Sequence, residues 1–263
     1  MKKFLSLLFV LVLSLSFVAC GSTKVKGELV TDHDDVLKYF EDLDLDKLDE
    51  ISYKFTIKYN YNEKTLEEQE SEKYTVKGAF NYVTEDDIFY AETFKYSVDY
   101  KYVCTEATVD GKKKAKESSK STVICDGDSI YTSSKYSYKD AESSESWDVK
   151  EVYDFEYFIL GKTPKGWHLA SDASFESIFS LISGTVSSNA QFFINDDDMT
   201  IVKSTEEEHL IIKISCDGSD ITAIECSLKT AFETTEISIK VCDEVDIKEP
   251  GNTSDYKDVN PED

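Results

Sequence analysis

The sequence contains no arginine, so its whole positive charge is carried by lysine: 29 basic residues stand against 53 acidic ones, for a net charge of −24. That balance argues against nucleic-acid binding, which needs a cationic face for phosphate. The missing guanidinium also removes the planar fork that grips a carboxylate or phosphate with two hydrogen bonds. Histidine is scarce, and His33, His168 and His209 are scattered without a Cys-x2-Cys pair, so no zinc motif is present and no metal is expected. A Gly-x-Ser-x-Gly elbow is lacking, which removes the usual cue for a serine nucleophile. Past the first 19 residues no run is long and apolar enough to span a bilayer.

What is present begins at the N-terminus. Met1-Lys2-Lys3 is followed by an uncharged stretch from Phe4 to Ala19. As a helix that stretch is about 24 Å long, short of a hydrocarbon core of roughly 30 Å, and it reads as a signal peptide. Its end, Phe17-Val18-Ala19-Cys20-Gly21-Ser22, resembles the lipobox of bacterial lipoproteins, although Phe17 stands where leucine is usual. The resemblance implies cleavage after Ala19 and a diacylglyceryl group on the Cys20 thiol. Acyl chains of this kind hold a protein at a bilayer, where a single chain does so only marginally. The expected address is the extracytoplasmic face of the cell membrane, with the bilayer itself as partner.

The rest divides by hydrophobic period. Residues 20–32 are a lipidated terminus and polar tether. Asp32 is placed to cap a helix in which Val36, Leu37, Phe40, Leu43 or Asp44, and Leu48 follow approximate helical spacing. From Ile51 the period becomes two: Tyr53, Phe55, Ile57, Tyr59 and Tyr61 alternate with polar residues. Strands are expected at about 71–83, 87–104, 119–125 and 129–138, with Lys112 to Lys114 as a solvated hairpin tip. Val152, Phe155, Tyr157 or Phe158 and Ile159, then Phe175, Ile178, Phe179 and Ile182, suit two short helices. Strands resume at about 190–195, 199–204, 208–216, 221–231 and 236–247. Residues 250–263 have little to bury and read as a disordered tail.

Lys77-Gly78-Ala79-Phe80 leading to Phe89-Tyr90-Ala91-Glu92, the Val123-to-Tyr131 segment with its Asp126-Gly127 turn, and Val245-Asp246-Ile247-Lys248-Glu249-Pro250 resemble the LolA/LppX-like lipoprotein-carrier superfamily. The resemblance implies one domain over 33–249 of α+β class: a curved antiparallel sheet, an open half-barrel, with helices packed on its concave face. It also implies an apolar ligand, a lipid or acyl chain, in the cavity. The chain is more acidic than such carriers and would be anchored rather than free, which favours a tethered carrier, receptor or sensor. The other reading is a surface lipoprotein that acts as a protein–protein interaction or structural module with no ligand cavity.

Candidate residues follow from these readings. Tyr53, Phe55, Ile57 and Tyr59 on the sheet, with Phe155, Phe158, Phe175 and Phe179 on the helices, are the expected lining of an aromatic groove, or else the filling of an ordinary core. Five cysteines lie past Cys20. Spacing about hairpin centres suggests Cys104 with Cys125 and Cys226 with Cys242 as disulfides, leaving Cys216, unless all five are small buried thiols. Asp196-Asp197-Asp198 lacks the alternating ligands of a calcium loop and reads as an acidic turn. No catalytic constellation and no cofactor are expected.

Overall fold

The computed structural model describes residues 25–43, 52–85, 88–108, 111–154 and 190–259. The signal segment, Ala19, Cys20, Phe155, Phe158, Phe175 and Phe179 lie outside this set. In chain order the elements are β1 (Glu28–Val30), α1 (His33–Glu41), β2 (Ser52–Lys64), β3 (Glu68–Glu85), β4 (Ile88–Thr108), β5 (Gly111–Cys125), β6 (Ser129–Lys139) and β7 (Ser144–Asp154), then β8 (Gln191–Asn195), β9 (Asp198–Ser204), β10 (Glu208–Asp217), β11 (Asp220–Thr230), β12 (Glu233–Cys242) and β13 (Lys257–Asp258).

The α+β expectation is overturned. Among the described residues only α1 and a three-residue 3₁₀ turn at Thr253–Asp255 are helical, and the rest is overwhelmingly strand. The first of the two short helices, expected from Val152, is, up to Asp154, the final run of β7. Trp147, Val149 and Tyr153 lie on alternate positions there, and a run this short fits either period. Pairing along the whole of β6, from Ser129↔Asp154 to Lys139↔Ser144, decides it. The lysines Lys112 to Lys114 are likewise not a tip: they are exposed residues of β5 paired with Ala107, Glu106 and Thr105 of β4.

Two compact units divide the chain. In the first, β1, β8, β9, β10 and β11 are neighbours in that order, and α1 follows β1. Asp32 caps α1 as the sequence suggests, its Oδ1 accepting the Asp34 amide at 3.0 Å, and Val36 is wholly buried. The ladder aligns Phe192, Ile201, Ile212 and Cys226 in one row and Ile194, Met199, Ile214 and Ile224 in the next. Their β-branched side chains suit a pleated surface, and Phe192, Met199 and Ile224 are fully buried.

The second unit is a meander of long strands, β2-β3-β4-β5-β6-β7, with β13 parallel to β7 at its edge. Successive hairpins keep one register, so residues across all six strands form rows, and alternate rows face opposite sides. The row Tyr53, Phe80, Phe94, Cys125, Ile130 and Tyr153 begins the buried side. Phe80 stacks on Phe55 at 5.6 Å and on Phe94 at 5.7 Å, and Tyr53 tilts against it at 5.6 Å. Gly78 lies under the Phe55 ring: a Cβ there would come within 2.7 Å of Phe55 Cζ and 2.9 Å of the Lys95 carbonyl oxygen. The strand needs glycine at this point to admit the ring.

Residues 250–259 have structure of their own. Tyr256 meets Tyr131 edge-on at 5.4 Å, Lys150 pairs with Asp255 at 3.1 Å, and Asn81 brackets Val245 by donating to its carbonyl at 2.7 Å and accepting its amide at 2.8 Å.

Candidate functional site

Along β2 burial falls steadily from Tyr53 to Tyr61, and the rows explain why. Beyond the aromatic base come Ile57, Val76, Val98, Ser121, Ser134 and Val149. Next is a row of rings, Tyr59, Tyr74, Tyr100, Ser119, Tyr136 and Trp147. The following row alternates hydroxyphenyl and carboxylate: Tyr61, Glu72, Tyr102, Glu117, Tyr138 and Glu145. One face therefore grades along the strands from apolar, through aromatic, to acidic. Tyr59, Tyr74, Tyr100 and Tyr136 are half-buried, Trp147 is 45% exposed, and Tyr136 stacks on Trp147 at 5.6 Å.

The tyrosines of this face are held neutral, and several of them donate to carboxylates. Tyr59 donates to Glu233 Oε1 at 3.0 Å, and burial followed by that carboxylate pushes its pKa up to about 12. Tyr61 donates to Glu63, a bond that, ahead of burial, raises its pKa to about 12. Burial, then a hydrogen bond to Glu70, raises Tyr102 as well. A phenol beside a carboxylate gives up its proton reluctantly, because ionisation would set two negative charges together.

The opposite face has another chemistry. Its rows include Thr56, Lys77, Ser97, Thr122, Ser133 and Lys150; Lys58, Thr75, Asp99, Lys120, Lys135 and Asp148; and Asn60, Lys73, Lys101, Ser118, Ser137 and Ser146. A shallow depression of about 590 Å³ draws on both sets of rows: Asp99, Lys101, Lys120, Lys135 and Asp148 line it together with Ser119, Tyr136 and Trp147.

Of the expected lining residues, Tyr53, Phe55, Ile57 and Tyr59 share one face, but Tyr53 and Phe55 are 1% and 3% exposed and belong to the packed base. The other four expected positions are outside the described residues. The tyrosine row and the lysine face escaped the sequence reading, because each strand contributes only one residue to a row and the register that joins them is a tertiary fact. The alternation within β2 to β6, combined with hairpin lengths, was the available signal.

The expected disulfide pairing is also corrected. The β4–β5 ladder closes on Thr108 paired with Gly111, so Cys104 stands opposite Ala115 and Cys125 opposite Phe94. Cys226 stands opposite Ile212, and the turn before β12 lies nearer to Cys226 than to Cys242. No disulfide joins the five cysteines of the described residues. Three of the environments favour the thiol. Burial lifts Cys226 to about 11, burial foremost lifts Cys216, and Cys104 is raised first by donating to Glu68 Oε1 at 3.1 Å. A protonated sulfur is a poor nucleophile.

Three polar groupings remain. Ser204 Oγ lies 2.6 Å from His209 Nδ1, yet the two are simply opposite partners of the β9–β10 ladder, with no carboxylate recorded on the imidazole. Glu68, Cys104 and Glu106 gather their ligand atoms within 4.8 Å on one face of β3 and β4, the first and last of them exposed. Asp196, Asp197 and Asp198 form a turn, with Asp196 at φ 55. Its carboxylates are used internally: Asp198 accepts the Cys216 amide at 3.2 Å and pairs with Lys213 at 3.3 Å, while the Asp197 carbonyl accepts the Tyr39 hydroxyl at 2.8 Å.

No family model matches the chain, and no curated protein matches it. Among solved structures it is similar to a β-barrel-like protein of a domain of unknown function from Brucella abortus, at 6% identity and a TM-score of 0.19, over 73% of this chain and 98% of that one. A porin-like protein from Bacteroides uniformis is similar at 10% identity and a TM-score of 0.13, over 71% and 96% of the two chains.

Proposed function

We propose that this chain is an exported, lipid-anchored binding protein of the extracytoplasmic membrane face, and that the graded face of β2–β7 is its ligand surface. The carrying observation is the gradient itself. Ile57, Val76 and Val98 give way to the Tyr59–Tyr74–Tyr100 row and then to Glu72 and Glu117. Such a surface suits an amphiphile: an apolar body over the aliphatic and aromatic rows, and a hydrogen-bonding or cationic end at the glutamates. This sharpens the lipid or acyl ligand inferred from the sequence by giving it an orientation. Among the described residues, the raised pKa of Cys104, Cys216 and Cys226 and the Ser204–His209 pair without a carboxylate on its imidazole favour binding over catalysis.

Native mass spectrometry of the protein released gently from its membrane tests the reading. The expected result is a co-purifying amphiphile that Tyr100→Ala and Tyr136→Ala release together, with a change in Trp147 emission. A protein that retains no small molecule and whose emission ignores added amphiphiles would sink it. The second reading, a protein-docking face, is favoured by exposed Trp147 and Val149 at the β7 edge, 45% and 41% accessible. Cross-linking from that edge to one envelope protein, with no amphiphile bound, would replace the first reading by the second.

A further inference from the structure

A chain of net charge −24 devotes the outer side of its longest strands to lysine. On the rows led by Thr56, Lys58 and Asn60 the only carboxylates are Asp99 and Asp148, and each is already paired, with Lys101 at 3.1 Å and Lys135 at 2.7 Å. Lys101 and Lys135 hold those two carboxylates while remaining 64% and 62% exposed, Lys150 pairs with Asp255 at 3.1 Å, and exposed Lys73, Lys77 and Lys120 give the face its excess of positive charge. The neighbours are serine and threonine, with no apolar side chain in these rows. The sheet thus separates its charge, with glutamate among tyrosines on one side and lysine among hydroxyls on the other.

We propose that this lysine face lies against the anionic headgroups of a lipid bilayer. The proposal rests on the membrane-anchored reading, which brings a bilayer within reach of the domain. Three features favour a lipid surface over a discrete anion. Lysine is a compact point charge without the fork that fixes one phosphate in one geometry. The cations are spread over six neighbouring strands, which matches a diffuse charged plane better than a pocket. The acidic remainder of the molecule does not cancel the attraction, because charges more than about 8 Å away are largely screened at physiological ionic strength, and basic residues next to an anionic leaflet are attracted locally.

The test is an amine-acetylation footprint, read by mass spectrometry, of the mature full-length lipoprotein reconstituted from outside into vesicles. One set is phosphatidylcholine, the other phosphatidylcholine with phosphatidylglycerol. Acetylation of Lys73, Lys101, Lys120 and Lys135 is expected to slow at least about threefold on the anionic vesicles and to recover in high salt, while exposed Lys113, on the tyrosine side of β5, reacts equally on both. Substitution of these four to Gln, with the circular dichroism spectrum unchanged, should abolish the anionic-vesicle protection of Lys77, the exposed amine that remains on the same face, while leaving the protein anchored. Equal rates on the two vesicle types would overturn the proposal. So would protection produced by soluble polyphosphate but not by anionic vesicles, which would assign the face to a free polyanion. If the protein fails to stay on either vesicle, the anchoring reading fails separately. The same footprint on protein mixed with vesicles then decides the lysine face by the same criterion.

Discussion

In the β8–β11 ladder the buried rows are mainly aliphatic, led by Ile201, Ile212, Ile214 and Ile224 with Phe192 at one end, whereas in the β2–β7 meander they begin as stacked rings and end as tyrosine and glutamate. The first arrangement has one task, packing. The second packs only near Tyr53 and Phe80, and the outer two-thirds of its strands, held by the same backbone ladder, present side chains that stay partly wet. Long strands extend the backbone ladder beyond the core, and what they present there is available for binding.

Substitutions sharpen this contrast. The largest expected effect is Phe80→Ala, which removes a ring stacked with Phe55 and Phe94 and should cost about 3–5 kcal/mol in urea unfolding. If it costs no more than a surface change, the aromatic base is not the core of its unit. Gly78→Ala comes next, at about 1–3 kcal/mol, because the new methyl must displace the Phe55 ring or the Lys95 carbonyl. Glu208→Gln probes the aliphatic ladder. It leaves the buried Lys203 ammonium without the carboxylate it pairs with, for about 1–3 kcal/mol, reduced toward the lower end by the partial exposure of Glu208. Ile212→Val, a single lost methylene in a dense row, should cost about 1 kcal/mol. An effect as large as that of Phe80→Ala would erase the distinction between the two regions.

The smallest effect is local. At the β6–β7 turn Asp140 accepts the Tyr138 hydroxyl at 2.8 Å and the Glu142 and Ser143 amides at 2.7 and 2.6 Å. These bonds, the tyrosine's first, hold its pKa at about 2 instead of the usual 3.8. Because the folded value is depressed, the contribution of Asp140 to the turn is complete above pH 4 and is lost as pH falls toward 2. A carboxyl resonance titrating near 2, with faster Glu142 and Ser143 amide exchange below that point and in Asp140→Ala, would bear this out. A midpoint near 4 would mean the turn does not use its carboxylate.

Much of the strand content was legible. The alternation of Tyr53, Phe55, Ile57 and Tyr59 marks β2 because every second side chain faces one side, and Asp32 marks the start of α1 because an aspartate oxygen satisfies an amide the helix cannot. The run from Val149 to Asp154 was not legible, since a few apolar residues fit a helix or a strand until a neighbouring strand claims their backbone. The cysteine pairing failed for a related reason. A hairpin centre displaced by a few residues moves every partner, and the β4–β5 turn falls before the lysine run instead of within it.

Composition and period alone determined that the chain is acidic, arginine-free and rich in strands with one aromatic side, because those properties reside in single residues and their spacing. Tertiary structure alone decided that Tyr59, Tyr74, Tyr100 and Tyr136 form one row, and that Lys73, Lys101, Lys120 and Lys135 gather on the other side of the same sheet. Neither grouping exists in any one strand: each is made by hydrogen-bond register, which joins residues far apart in sequence and which no local propensity encodes.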